Sequence, residues 1–153
     1  MKKNICYLIC IVFIVLLISN IFQYYCLNNV HLSINAGAQE REYPEYTNKI
    51  MGFGGQILNK TIFPIRVKEI TPIGSRGMEY FTTLITTWGF SEVEQNEIDS
   101  YENLEKKVIS PFKEYNIGVF YKFNGDYVVN PDAYELKYSV FGLNFEKVII
   151  NTH

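Results

Sequence analysis

The sequence predicts an all-β sandwich with one short helix, preceded by a single transmembrane helix. Three observations carry that expectation. Residues 5–27 hold no charged side chain and are long enough to cross a bilayer. Beyond them, short runs alternate apolar and polar residues with a period of two, broken by Gly, Pro and Asn-Gly signals about every ten residues. The chain is also rich in strand formers, with 12 Tyr and 11 Phe among 153 residues.

The apolar run from Ile5 to Leu27 comes first. A helix rises roughly 1.5 Å per residue, so this length covers a hydrocarbon core of about 30 Å. Lys2 and Lys3 precede the run, and the nearest basic residue after it is Arg41. That asymmetry places residues 1–4 in the cytoplasm and the remainder outside the cell membrane. Tyr24 and Tyr25 suit the aromatic belt at the outer interface. Asn20 sits either near that interface or against a second helix. The competing reading is a cleaved signal peptide, because Ala36-Gly37-Ala38 has the small-residue pattern of a cleavage site. The run is longer than the usual core of about 7 to 15 apolar residues, and the small residues lie well beyond it. Cys26 lacks the small residue that a lipoprotein signal places before its cysteine. An uncleaved signal anchor is the favoured reading, with cleavage after Ala38 left open.

Residues 28–48 read as a polar linker containing Gly37 and Pro44. Residues 49–153 then form one extracytoplasmic domain, large enough for a single core. Without Lys2 and Lys3, 12 basic residues face 16 acidic ones. There is no basic patch, so nucleic acid is not an expected partner. Cys6, Cys10 and Cys26 all fall in the apolar run. The domain can therefore build neither a cysteine zinc site nor an internal disulfide.

Within the domain, Met51 to Leu58 reads as a glycine-containing strand ended by an Asn59-Lys60 turn. Thr61 to Ile70 alternates, with Phe63, Ile65 and Val67 inward and Pro64, Arg66 and Lys68 outward. Residues 71–77 form a loop by their Gly and Pro content. Met78 to Trp88 carries bulk on both faces and reads as a central strand. Ser91 to Ser110 is the helical interval. There Ser100 is the N-cap, and Tyr101, Leu104, Glu105 and Val108 share a face ahead of Pro111. Tyr115 to Phe123 is a strand, and Asn124-Gly125 predicts a hairpin into residues 126–129. Asn130-Pro131-Asp132 turns into the strand from Tyr134 to Phe141. Gly142 breaks that run before a last strand from Phe145 to Ile150.

Two stretches carry a resemblance. Ile57-Leu58-Asn59-Lys60-Thr61 followed by Pro64-Ile65-Arg66-Val67 resembles the opening strands of small membrane-anchored extracytoplasmic immunoglobulin-like domains of bacteria. Tyr134 to Gly142 is similar to their closing strands, where an apolar-x-Tyr precedes a Gly. The resemblance covers residues 49 to 150. It implies an immunoglobulin-like β-sandwich that serves binding or scaffolding, and it carries over no catalytic residue. The Cys–Trp–Cys core of antibody domains is absent, so Trp88 has no disulfide to pack on.

The same residues argue against an enzyme. His31 lies in the linker and His153 at the terminus, so no scaffold holds a base beside a nucleophile. Glu92, Glu94, Glu97, Asp99, Glu102 and Glu105 are the carboxylates from which a hydrolase pair or a calcium site would have to come. They lack the Asp-x-Asp-x-Asp-Gly spacing and read as a solvated face. Gly52-Phe53-Gly54-Gly55 fails the Gly-x-Gly-x-x-Gly spacing of a phosphate loop and reads as close strand packing. Asn59-Lys60-Thr61 matches the N-glycosylation pattern but is already explained as a turn. No cofactor and no metal are expected. The expected function is a non-catalytic protein-interaction or scaffolding module whose partner is another membrane or cell-surface protein. Its candidate surface is aromatic: Tyr80, Trp88, Tyr101, Tyr121, Tyr127, Tyr134 and Tyr138. A carbohydrate or small-ligand binder is the alternative.

Overall fold

In the computed structural model of the chain, which describes residues 2–35, 40–42, 47–86, 91–105, 107–125 and 127–150, the apolar run is one helix, α1 (Lys2–Asn28). Tyr7–Asn28 is long and apolar enough to span a membrane, with mean hydropathy 2.2. Its side chains are exposed from Tyr7 to Ile21. Asn20 Nδ2 donates to the carbonyl of Leu16 at 2.8 Å, within the helix.

The remainder is an all-β sandwich. Its strands are β1 (Val30–Ile34), β2 (Glu40–Glu42), β3 (Ile50–Asn59), β4 (Ile65–Ile73), β5 (Met78–Ile85), β6 (Ser91–Val93), β7 (Val108–Ile109), β8 (Glu114–Phe123), β9 (Tyr127–Val129), β10 (Ala133–Val140) and β11 (Leu143–Ile150). One sheet has the order β1-β3-β8-β5, with β6 pairing on β3. The facing sheet has the order β11-β10-β4-β7, and β2 pairs with β9 in a two-stranded ribbon. Every pairing is antiparallel.

Period-two patterning places the core between the sheets. Val30, Leu32 and Ile34 of β1, Met51, Phe53 and Ile57 of β3 and Ile117, Val119, Tyr121 and Phe123 of β8 meet Ile65, Val67 and Ile70 of β4 and Tyr134, Leu136, Tyr138 and Val140 of β10. A second, smaller cluster covers the outer face of the first sheet. There Phe120 and Leu84 pack against Ile98 of α2 (Gln95–Ile98).

Several expectations are corrected. The stretch read as a linker begins with a core strand: Val30, Leu32 and Ile34 are buried, and β1 pairs with β3 from Val30↔Asn59 to Ile34↔Gly55. β4 runs on through Pro72 to Ile73, where a loop was expected. Its described partner there is β10 alone, so Pro72 interrupts no ladder on the other side. β5 is an edge strand, and β3 and β8 are the inner ones. The bulk on both faces of β5 is used by the main core and by the Phe120 cluster. The helix is α2, earlier and shorter than expected. Ser100 does not cap its start; its Oγ donates to the carbonyl of Glu97 at 2.6 Å and closes the end. Leu104 and Ile109 are fully buried in the main core, and their packing overrides the weak local preference for a continued helix. Asn124-Gly125 does not lead to a β8–β9 hairpin. Both edges of β8 are taken by β3 and β5, so β9 pairs with β2 instead.

Two backbone details fix the edges. The β10–β11 turn is two residues long, and Phe141 (φ 49°) and Gly142 (φ 82°) are both left-handed, as a tight twisted hairpin requires. A Cβ on Gly55 would lie 2.5 Å from the carbonyl oxygen of Ser33, so the close approach of β1 to β3 depends on the missing side chain. Gly55→Ala therefore should lower stability by about 1–3 kcal/mol by forcing the two backbones apart. Urea unfolding of the detergent-solubilised chain measures it. An unchanged midpoint would mean that β1 is not held against β3.

Candidate functional site: the joint between helix and sandwich

The last carbonyls of a helix have no partner within it. In α1 two of these, the carbonyls of Tyr25 and Cys26, receive side-chain donors. Asn28 Nδ2 donates to the carbonyl of Tyr24 at 2.8 Å, and Asn29 Nδ2 to that of Tyr25 at 2.9 Å. The Tyr138 hydroxyl, on β10, reaches across the core and donates to the carbonyl of Cys26 at 2.8 Å. Just beyond the helix, the backbone N–H of Lys60 donates to the carbonyl of Asn29 at 2.7 Å, and Lys147 Nζ donates to that of Val30 at 2.9 Å. A lysine near a helix C-terminus also complements the dipole. Cys26 is fully buried, and Phe22, Tyr25 and Leu27 pack on the core. The Phe22 ring lies 5.6 Å from Phe63 and 6.2 Å from Phe145, centre to centre. The backbone N–H of Ile62 donates to the Tyr25 hydroxyl at 3.2 Å.

Asn59 organises the loops next to this joint. Its side chain is fully buried. Nδ2 donates to the carbonyls of Phe63, Ile109 and Ser110 at 2.8, 3.1 and 3.2 Å. Oδ1 accepts from the backbone N–H and the hydroxyl of Thr61 at 3.0 and 2.8 Å. An amide enclosed in this way is a structural knot and not a glycan acceptor. The turn reading of Asn59-Lys60-Thr61 thus has a concrete basis.

The tyrosine surface is corrected. Tyr121, Tyr134 and Tyr138 are buried, because each falls on the inward register of β8 or β10. Their hydroxyls are satisfied inside: Tyr121 donates to the hydroxyl of Tyr134 at 3.1 Å, and Tyr138 bonds to Cys26. Tyr80 is half-buried, 6.1 Å from the Tyr121 ring, with its hydroxyl 3.0 Å from that of Thr83. Tyr101 is partly exposed. It lines an open hollow of about 480 Å³ with Ile85, Thr86, Glu114, Tyr115 and Asn116. Tyr127 lies on β9, and Trp88 lies outside the described residues, as do His153 and the Ala36-Gly37-Ala38 cleavage pattern. The structure therefore brings Tyr80, Tyr121, Tyr134 and Tyr138 together as core and leaves Tyr101 apart from them.

The acidic segment makes local contacts. Glu97 Oε2 accepts from the backbone N–H of Glu94 at 3.3 Å, and Glu102 pairs with Lys107 at 2.5 Å. Among the described residues, no three His, Cys, Asp or Glu side chains converge as a metal site. His31 is an outward residue of β1, and burial together with Lys60 and Lys147 lowers its pKa. Neither protein-family models nor curated proteins match the chain, so its function has to be argued from this geometry.

Sequence reasoning missed the residues of the joint. Phe22, Cys26 and Tyr138 were assigned to lipid, to a membrane thiol and to a binding face. The available signal was the alternation Val30-His31-Leu32-Ser33-Ile34, which begins two residues past the helix.

Two outcomes follow from the buried hydroxyls. Tyr138→Phe leaves the Cys26 carbonyl buried without its donor and should cost about 1–3 kcal/mol, read from thermal or urea unfolding. A cost near zero would mean that the helix end is solvated. Burial pushes Tyr80 and Tyr134 up to about 12 and raises Tyr121 and Tyr138 as well. A raised folded value favours the neutral form. This contribution is therefore complete below the unfolded tyrosine pKa of about 10 and is lost as pH rises above it. Circular dichroism and tyrosinate absorbance should accordingly show buried tyrosines ionising together with unfolding in alkali. Ionisation of all tyrosines with the fold intact would contradict the burial.

Proposed function

We propose that the chain is a single-pass membrane protein, with residues 1–4 in the cytoplasm and an immunoglobulin-like sandwich outside, serving as a non-catalytic interaction or scaffolding module. One observation carries this reading: the end of a helix fit to span a membrane is built into the sandwich core through Cys26, Phe22 and the Tyr138 hydrogen bond. A helix that served as a removable signal has no need of such a seat, and its removal would strip the core of Cys26. The two lysines before the apolar run support the orientation. The absence of a spacer suits a scaffold, because anything grasping the sandwich is held at a fixed height and angle to the membrane. A partner that is itself a membrane or cell-surface protein fits that placement. The side chains from Tyr7 to Ile21, exposed on α1, are free to meet lipid or a partner's helix.

A reporter fused after His153 tests the arrangement. It should be active outside the cytoplasm while the intact chain stays in the membrane fraction. A reporter active in the cytoplasm, or a chain shortened by cleavage after Ala38, would overturn it.

A further inference from the structure

The strand register gathers several loops at the end of the sandwich where α1 enters. Val30 pairs with Asn59, Leu58 with Glu114, Ile65 with Ile109 and Val140 with Leu143. The β3–β4 loop, the β7–β8 loop and the β10–β11 turn therefore all lie beside the helix. Each presents a large apolar side chain to the outside: Ile62 is 58% exposed, Phe112 66% and Phe141 71%, and Leu143 next to the turn is 53% exposed. Phe112 and Phe141 both hold left-handed backbone, at φ 56° and 49°, a conformation that costs a non-glycine residue energy. At the far end, the turns carry Ser75, Arg76, Asn124 and Asp132 instead. The exposed Ile73 and Ile150 there lie on strands and not at turn tips.

The helix supplies a depth gauge. At about 1.5 Å per residue, Phe22 lies roughly 7 Å inside Leu27, at the edge of the apolar layer. Phe63 touches Phe22 at 5.6 Å, and Phe141 touches Phe63 at 5.1 Å. A loop tied to Phe22 cannot stand clear of the bilayer that holds Phe22. Between α1 and the β3–β4 loop runs an apolar groove of about 330 Å³, lined by Ile18, Ile21, Phe22, Tyr25, Ile62 and Phe63. Ile18 places its lower end at acyl-chain depth. Lys60 and Lys113, both exposed, flank two of the three tips, with Glu114 the neighbouring carboxylate.

We propose that this end of the sandwich is a second membrane-contact surface. Ile62, Phe112 and Phe141 enter the glycerol–acyl boundary of the leaflet from which α1 emerges, a phospholipid acyl chain fills the groove beside Ile18 and Phe22, and Lys60 and Lys113 meet lipid phosphates. The proposal rests on α1 spanning the bilayer, and its test separates the two. The full chain carrying Trp88→Phe is reconstituted into phosphatidylcholine–phosphatidylglycerol vesicles that contain acyl-brominated lipid. Single indoles are introduced by Phe112→Trp or Phe141→Trp at the tips, Phe13→Trp in mid-helix and Ile73→Trp at the far end. Ile62→Trp is a further tip position should the left-handed Phe112 and Phe141 sites reject the larger ring. The expected result is strong bromine quenching at the tips and in mid-helix, with shallow bromines more effective at the tips, and none at Ile73→Trp. Quenching in mid-helix with tip positions that behave like Ile73→Trp would overturn the proposal and leave the anchor standing. No quenching in mid-helix would overturn both.

Discussion

The carbonyl of Cys26 is the constraint on which the rest depends. A helix end buried in a sandwich core cannot rely on bulk water for its last acceptors, so the protein must supply the donors. Tyr138 reaches that carbonyl from the opposite sheet. The bond ties helix, first strand and closing hairpin into one unit. It also dictates sequence: position 138 must carry a hydroxyl on a long apolar body, placed inward on β10. Stacking of Tyr138 on Phe145 at 5.4 Å, with the rings nearly parallel, holds it there.

From that anchor point the sandwich is laid out in order. β1 starts two residues past α1 and lies against β3 where Gly55 permits close approach. β3 ends at Asn59, whose amide gathers the loops before β4 and β8. Each step places the next, and the loops gathered by Asn59 are among those that carry exposed apolar tips at the helix end of the sandwich. Outward ion pairs contribute little by comparison. Lys137 bonds Glu69 and Glu135, both at 3.1 Å, on an exposed face where screening leaves such pairs worth about 1 kcal/mol or less.

Most strands were legible because their patterning is local. Phe53, Ile57, Ile65, Val67, Val119 and Leu136 lie inward as a period of two predicts, and the apolar helix is where its composition put it. Three of the tyrosines read as a binding surface, Tyr121, Tyr134 and Tyr138, are core residues. Tyr121 follows Ile117 and Val119 at the inward spacing, and Tyr134 and Tyr138 alternate with Leu136 in the same way. The register was visible, but the pairing of their hydroxyls was not. The linker reading failed because Asn28, Asn29 and His31 look polar in sequence, yet two of them are capping donors and the third points outward from a core strand. The β9 pairing could not be read locally at all. It follows from β8 having both edges occupied, which is a property of the assembled sheet.

The central claim is that helix and sandwich form one body without a flexible spacer. Amide hydrogen exchange of the full chain in lipid nanodiscs, read over residues 24–34, tests it most directly. The account predicts that the amides of β1 bonded to β3 exchange as slowly as those of the inner strand β8, through global unfolding. Exchange at the rate of an unstructured chain across Asn29 to Ile34 would contradict it.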